Sequence, residues 1–316
     1  MTSPGHEAAA DTRPEGRAWA AEGRLAEPAH KGWQLLGRKV ARWGMMTAGR
    51  PVHGARMLPA FLIVGAERCG TTSMFHLLRQ HPALFSATLP RKEVHYFDYK
   101  YHRGLAWYQC HFPLSVRARI VAGRVKAAPV AFEATPNYMF DANAPGRINR
   151  DLPGVKLLAM VRDPVERAYS AHAHQMGYGD ETEPFERALE LEDSRLEGEV
   201  ERILADPGYE SFSFDHHTYR SRGHYADQLD HLAGVFGRDR VHVIDSGDFF
   251  TSPGPCYDQV LDFLGLPDRG RPAFRPQNAR PRSPMPDSLR AALDEHFRPH
   301  DERLAVWLGH EPSWRR

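Results

Sequence analysis

The sequence predicts a single α/β domain, a central parallel sheet flanked by helices, and three observations carry that prediction. First, Phe61-Leu62-Ile63-Val64 and Leu157-Leu158-Ala159-Met160-Val161 are unbroken apolar runs of strand length. Such continuity is expected where both faces of a parallel strand are covered. Second, each run is followed at once by residues with a helical period. Third, the junctions carry residues that turn the chain into a helix: Gly65 and Gly70 at one, Asp163-Pro164 at the other. Strands alternating with helices in this way build a parallel sheet with helices on both faces.

The elements are expected as follows. Residues 1–32 are rich in Ala, Gly, Pro, Glu and Arg without a hydrophobic period, and read as a disordered extension. Residues 33–57 form an amphipathic helical lead-in, with Trp33, Leu35, Leu36, Val40, Trp43 and Met46 among Arg38, Lys39 and Arg42. A basic helix with two tryptophans suits peripheral membrane contact through 33–46, or a partner. It suits packing against its own domain as well, which is the commoner outcome. The domain proper spans 58–310, followed by a tail at 311–316.

Within the domain, the first strand enters at Leu58 and a helix follows over 70–80. His81-Pro82 turns the chain into a short strand at Ala83-Leu84-Phe85. The stretch 90–98 is polar and aromatic with no period, and helical character returns over 105–112. A strand at Val130-Ala131-Phe132-Glu133 breaks at Thr135-Pro136. The clearest buried strand, Lys156–Val161, feeds a helix that opens at Pro164. Residues 184–205 read as one charged surface helix. Arg222-Gly223-His224-Tyr225 opens another, with Leu229, Leu232, Val235 and Phe236 on one face. A strand at 240–244, a helix from Cys256 to Leu264, a Pro- and Arg-rich loop at 267–286 and a last helix at 287–308 complete the chain.

Composition narrows the functional classes. With 41 basic and 40 acidic residues there is no global field of the kind that draws nucleic acid, and no nucleic-acid partner is expected. The 3 cysteines, Cys69, Cys110 and Cys256, suggest neither a disulfide framework nor a zinc site. Together with the absence of an apolar leader, they favour a reducing interior and a cytoplasmic location.

The chemistry concentrates at Gly65-Ala66-Glu67-Arg68-Cys69-Gly70-Thr71-Thr72-Ser73. A strand, a glycine-bracketed loop and a helix N-terminus aim backbone N–H groups and the helix dipole at one anion. The spacing is that of a phosphate-binding P-loop, but Thr71 stands where the phosphate-gripping lysine belongs, and Arg68 within the loop supplies a cation instead. This argues against an ordinary ATPase or kinase.

The loop at 65–72, the cluster Lys92-Glu93-Val94-His95-Tyr96-Phe97-Asp98 and the junction Arg162-Asp163-Pro164-Val165-Glu166-Arg167-Ala168-Tyr169-Ser170 together resemble the sulfotransferase family. These enzymes take their sulfuryl group from 3′-phosphoadenosine 5′-phosphosulfate (PAPS). The likeness is strongest to the branch of heparan sulfate sulfotransferases and their bacterial relatives. Fainter echoes lie at Glu133-Ala134-Thr135-Pro136-Asn137-Tyr138, at Arg222-Gly223-His224-Tyr225 and at Phe297-Arg298-Pro299-His300. The resemblance implies a P-loop-like PAPS-binding fold and a hydroxyl-bearing acceptor: a carbohydrate, glycolipid or small metabolite, with an amine the second choice.

By that resemblance Arg68, Cys69, Gly70, Thr71, Thr72 and Ser73 hold the 5′-phosphosulfate, and Arg162 and Ser170 read the 3′-phosphate. Glu93 is the general base, in surroundings that Val94, Tyr96 and Phe97 are expected to make apolar and pKa-raising. Lys92 lies near the sulfonate. His95 is either a second base or a packed, hydrogen-bonded histidine, and Asp98 is structural. Many relatives carry lysine where Arg68 stands; arginine keeps the charge but does not readily give up a proton. Tyr225, Arg280 and Arg282 are expected to close over the nucleotide. No metal is expected, and His172 and His174, two apart on a helix, face different ways. The competing readings are a P-loop kinase or nucleotide hydrolase, and a non-catalytic nucleotide-binding protein.

Overall fold

The computed structural model describes residues 50–87, 92–124, 126–206, 208–275 and 284–316. The expected extension at 1–32, the amphipathic stretch 33–46, and Arg280 and Arg282 lie outside them.

Five strands run β1 (Pro59–Gly65), β2 (Leu84–Ser86), β3 (Val130–Ala134), β4 (Lys156–Val161) and β5 (Val241–Asp245). They form one all-parallel sheet in the order β2-β3-β1-β4-β5. The helices, in chain order, begin with α1 (Thr71–Leu78), α2 (Leu105–Gln109), α3 (Ser115–Gly123), α4 (Ala144–Asp151) and α5 (Pro164–Tyr178). Then come α6 (Phe185–Leu196), α7 (Glu199–Ala205), α8 (Phe212–His216), α9 (Tyr225–Phe236), α10 (Ser246–Thr251), α11 (Pro253–Leu264) and α12 (Asp287–Leu308).

Phe61, Leu62, Ile63 and Val64 of β1 and residues 157–161 of β4 are without exposure, as two-sided coverage requires. Each such large aliphatic side chain contributes roughly 1.5–3 kcal/mol over an exposed one. Phe61 and Phe132 stack across β1 and β3 at 4.9 Å, and Phe75 of α1 closes on Phe132 from the helix layer.

The strand order reverses direction at β1, so the crevice between the carboxyl ends of β1 and β4 is the topological switch point of the sheet. In open α/β sheets that crevice takes the ligand. It is where Gly65 hands over to the loop and Val161 to Arg162.

Two expectations change. The single helix over 184–205 is two, α6 and α7, because Glu197 is extended (ψ 119°) and Gly198 is left-handed (φ 71°). Gly198 occupies the one position there that favours a residue without a Cβ. The tail at 311–316 packs onto the domain: Ser313 N–H donates to Asp245 Oδ2 at 2.7 Å, while Trp314 Nε1 and Arg315 Nε donate to Asp301 Oδ2 at 3.0 and 2.7 Å.

Candidate active site

The loop after β1 turns through two left-handed residues, Arg68 (φ 65°) and Gly70 (φ 86°). An ideal Cβ on Gly70 comes within 3.0 Å of the Phe250 ring, so space as well as φ favours glycine there. Ala66 N–H is tied to Met160 O of β4 at 2.7 Å, which fixes the loop against the neighbouring strand. Thr71 and Thr72 then stand in the first turn of α1, whose N–H groups a helix leaves without intrahelical partners. The result is a concavity of the kind that suits an anion.

Cys69 points inward. Its buried thiol is pushed up to about 11, chiefly by desolvation, so it is no nucleophile. Its Sγ lies 3.5 Å from the Tyr225 hydroxyl, and Ser246 Oγ donates to its carbonyl at 2.5 Å. Tyr225 is itself buried at 1% exposure. Its hydroxyl meets Cys69 within the loop, so it packs against the loop and has almost no exposed surface with which to close over a nucleotide.

Arg162 leaves the end of β4 directly into the cap of α5. Asp163 accepts from Val165 N–H at 2.9 Å and Glu166 N–H at 3.4 Å, and Pro164 occupies the first helical position. The chain bends at Asp163 (φ −37°, ψ 110°). This bend brings together what sequence distance holds apart. Arg68 Nε donates to Ser170 Oγ at 3.2 Å, and an Arg162 terminal nitrogen lies 3.5 Å from Arg68 O. Arg162 pairs with Glu166 at 3.5 Å, whereas Asp163 is engaged as the cap and by Arg290 at 3.3 Å.

On the opposite side of the loop, Lys92 Nζ donates to Thr71 Oγ1 at 2.9 Å and Thr72 Oγ1 at 3.2 Å. It also meets Glu93 Oε1 at 3.4 Å. Burial holds the Lys92 ammonium below its ordinary range, with Glu93 opposing. Glu93, 40% exposed, opens to the cleft.

The expected apolar setting for Glu93 is not found. Val94, Tyr96 and Phe97 turn into the core, leaving the carboxylate between Lys92 and His95. Burial pushes Glu93 up, but His95 and Lys92 outweigh it and hold the carboxyl at about 2. His95 spans two carboxylates, Nε2 at 3.4 Å from Glu93 Oε2 and Nδ1 at 2.8 Å from Asp98 Oδ2. Desolvation opposes its charge, but Asp98 and Glu93 prevail and push the ring up to about 10.

Sequence reasoning missed what lies behind His95. Asn137 Nδ2 donates to Asp98 Oδ2 at 3.2 Å, and Arg222 donates to Asn137 Oδ1 at 2.9 Å. Arg222 lies 3.6 Å from Glu67 in the loop. A polar chain thus runs from Glu93 through His95, Asp98, Asn137 and Arg222 back to the loop. Its signal was present in the segments 133–138 and 222–225, where only Tyr225 had been given a role.

Beside this chain lies a cavity of about 420 Å³ lined by Asp98, Tyr99, Asp141, Arg147, Tyr209 and Asp215, among others. Tyr99 donates to Asp215 at 3.0 Å, and burial pushes the Asp215 carboxyl up to about 7 against the opposing charge of Arg222.

A sulfotransferase-domain family model matches residues 58–273, which takes in the loop, the Lys92–Glu93 strip, the Arg162–Ser170 junction and the cavity. The chain belongs to the sulfotransferase family. The crystal structure of a sulfotransferase from Alicyclobacillus acidocaldarius is 30% identical, covers 82% of this chain and all of its own, and superposes with a TM-score of 0.60. Human heparan sulfate glucosamine 3-O-sulfotransferase 6 is 28% identical over 86% of this chain and 77% of its own length. The membrane-associated sulfotransferase kil1 of Dictyostelium discoideum is 25% identical over 84% of this chain and 68% of its own.

These relatives overturn the cytoplasmic expectation for this sulfotransferase. A membrane-associated enzyme stands among them, and cysteine usage carries no weight against that, because three buried thiols fold without disulfides in any compartment. Among the described residues no helix is long and apolar enough to cross a membrane.

Proposed function

We propose that this sulfotransferase moves the sulfuryl group of PAPS to a hydroxyl of a carbohydrate acceptor, with Glu93 as general base. The observation that carries this reading is that two cation-bearing clusters gather at one loop. Arg162 and Ser170 form a cluster suited to a 3′-phosphate, joined to the loop through Arg68. Lys92, Thr71 and Thr72 form one suited to a 5′-phosphosulfate, and Glu93 stands immediately beside it. A nucleotide bearing a phosphate at each end is the ligand that needs both.

Sulfuryl transfer, like phosphoryl transfer, asks the protein chiefly for positioning and charge stabilisation. The acceptor oxygen forms a bond to sulfur as the bond from sulfur to the bridging phosphate oxygen breaks. Glu93 takes the acceptor proton. Lys92 and Arg68 offset the charge that develops on the departing 3′-phosphoadenosine 5′-phosphate. His95, held as an imidazolium by Asp98, aims the Glu93 carboxylate, and a sulfonate that draws Lys92 toward itself returns basicity to Glu93. The acidic and aromatic cavity past Asp98 suits a polyhydroxyl acceptor, whose hydroxyls find carboxylate and phenol partners there. The glucosamine 3-O-sulfotransferase relative supports the same class.

The decisive experiment is calorimetric titration with 3′-phosphoadenosine 5′-phosphate, adenosine 5′-phosphosulfate and ATP, with and without magnesium. Metal-independent preference for the first, lost in Arg162→Ala, is the expected result. Preference for ATP with magnesium overturns the reading in favour of a kinase. Binding without transfer to any sugar acceptor overturns the catalytic part alone.

A further inference from the structure

Behind the donor loop, three histidines meet that the transfer chemistry does not use. His224 lies at the start of α9, one residue before Tyr225, and His296 and His300 stand one turn apart on α12. Residues four apart on a helix share a face. Gly223 brings the two elements together: an ideal Cβ there would sit 2.6 Å from the Phe297 ring. Each histidine presents one ring nitrogen, and the three lie within 4.8 Å of one another. We propose that His224, His296 and His300 form a binding site for a divalent transition-metal ion of the zinc type, clamping α12 to the start of α9.

The spacing suits such an ion. Two nitrogens on a tetrahedral zinc at about 2.0–2.1 Å stand roughly 3.3 Å apart. Here His224 Nε2 and His296 Nε2 are 2.9 Å apart, and the third nitrogen falls inside 4.8 Å, so closing the set asks a movement of up to about 1.5 Å. All three rings are partly buried, leaving a side open for a fourth ligand. The His224 and His300 rings stack at 3.9 Å and 8°, and because a ring-nitrogen lone pair lies in the ring plane, binding requires one of these rings to rotate out of the stack toward the ion.

The surroundings also fit. His300 Nδ1 is buried with no hydrogen-bond partner among the described residues, and the Asp227 carboxylate lies 3.8 Å away. A carboxylate facing the non-ligating nitrogen is how proteins orient metal-bound histidines. Three imidazole nitrogens with no carboxylate ligand favour zinc, cobalt, nickel or copper over magnesium or calcium.

The site is independent of the transfer reading and is tested without activity. Full-length untagged protein, stripped with chelator, is titrated with Zn²⁺ alone by calorimetry and followed by thermal denaturation. The expected result is one Zn²⁺ per chain and a raised Tm, with no effect of Mg²⁺ or Ca²⁺. His300→Ala weakens binding by about 100-fold or more, and Asp227→Asn by roughly 10-fold, as for other outer-shell partners. Absence of stoichiometric binding, or binding unchanged in His300→Ala, overturns the proposal and leaves a hydrogen-bonded histidine stack. Should His300→Ala not fold, Co²⁺ with the unaltered protein decides. Intense visible absorption of a tetrahedral ion, bleached by Zn²⁺, supports the site, and its absence overturns it.

Discussion

Lys92 Nζ stands 2.9 Å from Thr71 Oγ1, although twenty-one positions separate the two residues. Thr71 occupies the place of the phosphate-gripping lysine of a P-loop. The cation therefore returns through space, from a different segment, to almost the position from which the sequence had removed it. It arrives with Glu93 as its neighbour in sequence, so the proposed donor contact and the proposed base come on one segment.

Replacing Lys92 by methionine removes that cation and leaves both threonine hydroxyls without a donor. Turnover is expected to fall by about 10²–10³-fold, the range for loss of one preorganised charge-stabilising donor. Steady-state kinetics with PAPS and a carbohydrate acceptor measure it; an unchanged kcat would place the sulfonate elsewhere.

Glu93→Gln removes the proposed base without altering shape. A fall in kcat of roughly 10²–10⁴-fold, with 3′-phosphoadenosine 5′-phosphate still binding, is the expected outcome. Because Lys92 and His95 hold Glu93 at about 2, the carboxylate is ionised throughout the working range. The profile of kcat/KM against pH then shows no acid limb near the ordinary value of 4.5. A limb there would mean that the carboxylate has lost those cations in solution.

His95 has a stability signature of definite sign. Its folded-state value is raised from 6.5 to about 10, so the proton it binds on folding stabilises the native state. That contribution is complete below pH 6.5 and is lost as pH climbs through 10. Denaturant titrations of the parent and His95→Gln should differ most near pH 6 and converge near pH 10. Equal differences at both would show that the ring is not charged by its neighbours.

Arg162→Ala should weaken 3′-phosphoadenosine 5′-phosphate by about 10–100-fold, the equivalent of one charge-assisted contact. Binding of adenosine 5′-phosphosulfate, which lacks the 3′-phosphate, should barely change. Parallel calorimetric titrations test the difference, and equal losses would assign Arg162 to the loop instead of to the phosphate.

Gly70→Ala tests the loop as a scaffold. A Cβ at φ 86° costs about 1–2 kcal/mol by itself, and the Phe250 ring at 3.0 Å adds overpacking. Thermal denaturation should show a lowered Tm together with weakened donor binding; a Tm at or above that of the parent would contradict the geometry.

How much of this was legible beforehand follows the range of the forces involved. The strand at Lys156–Val161, the turn into α1 and the last helix at Asp287–Leu308 were readable because apolar period, Gly φ freedom and Pro at a helix start act within a few residues. The residue types of the loop, of Glu93 and of the Arg162–Ser170 pair were readable for the same reason: their spacing is a local pattern. The break at Gly198 was missed because a lone glycine inside a charged helical pattern is usually tolerated.

By itself, then, the sequence determined an α/β sheet, an anion-binding loop and the residues that belong to a sulfotransferase. Tertiary structure alone decided how they meet. Only folding carried Lys92 to Thr71, brought Arg68 to Ser170 across 102 positions, packed Tyr225 against the loop and set Glu93 among cations instead of apolar groups. The reason is physical: secondary structure answers to neighbours in sequence, whereas the pKa of a carboxylate and the field at a binding loop answer to charges a few ångströms away in space. No period in the chain records which distant segment will supply those charges.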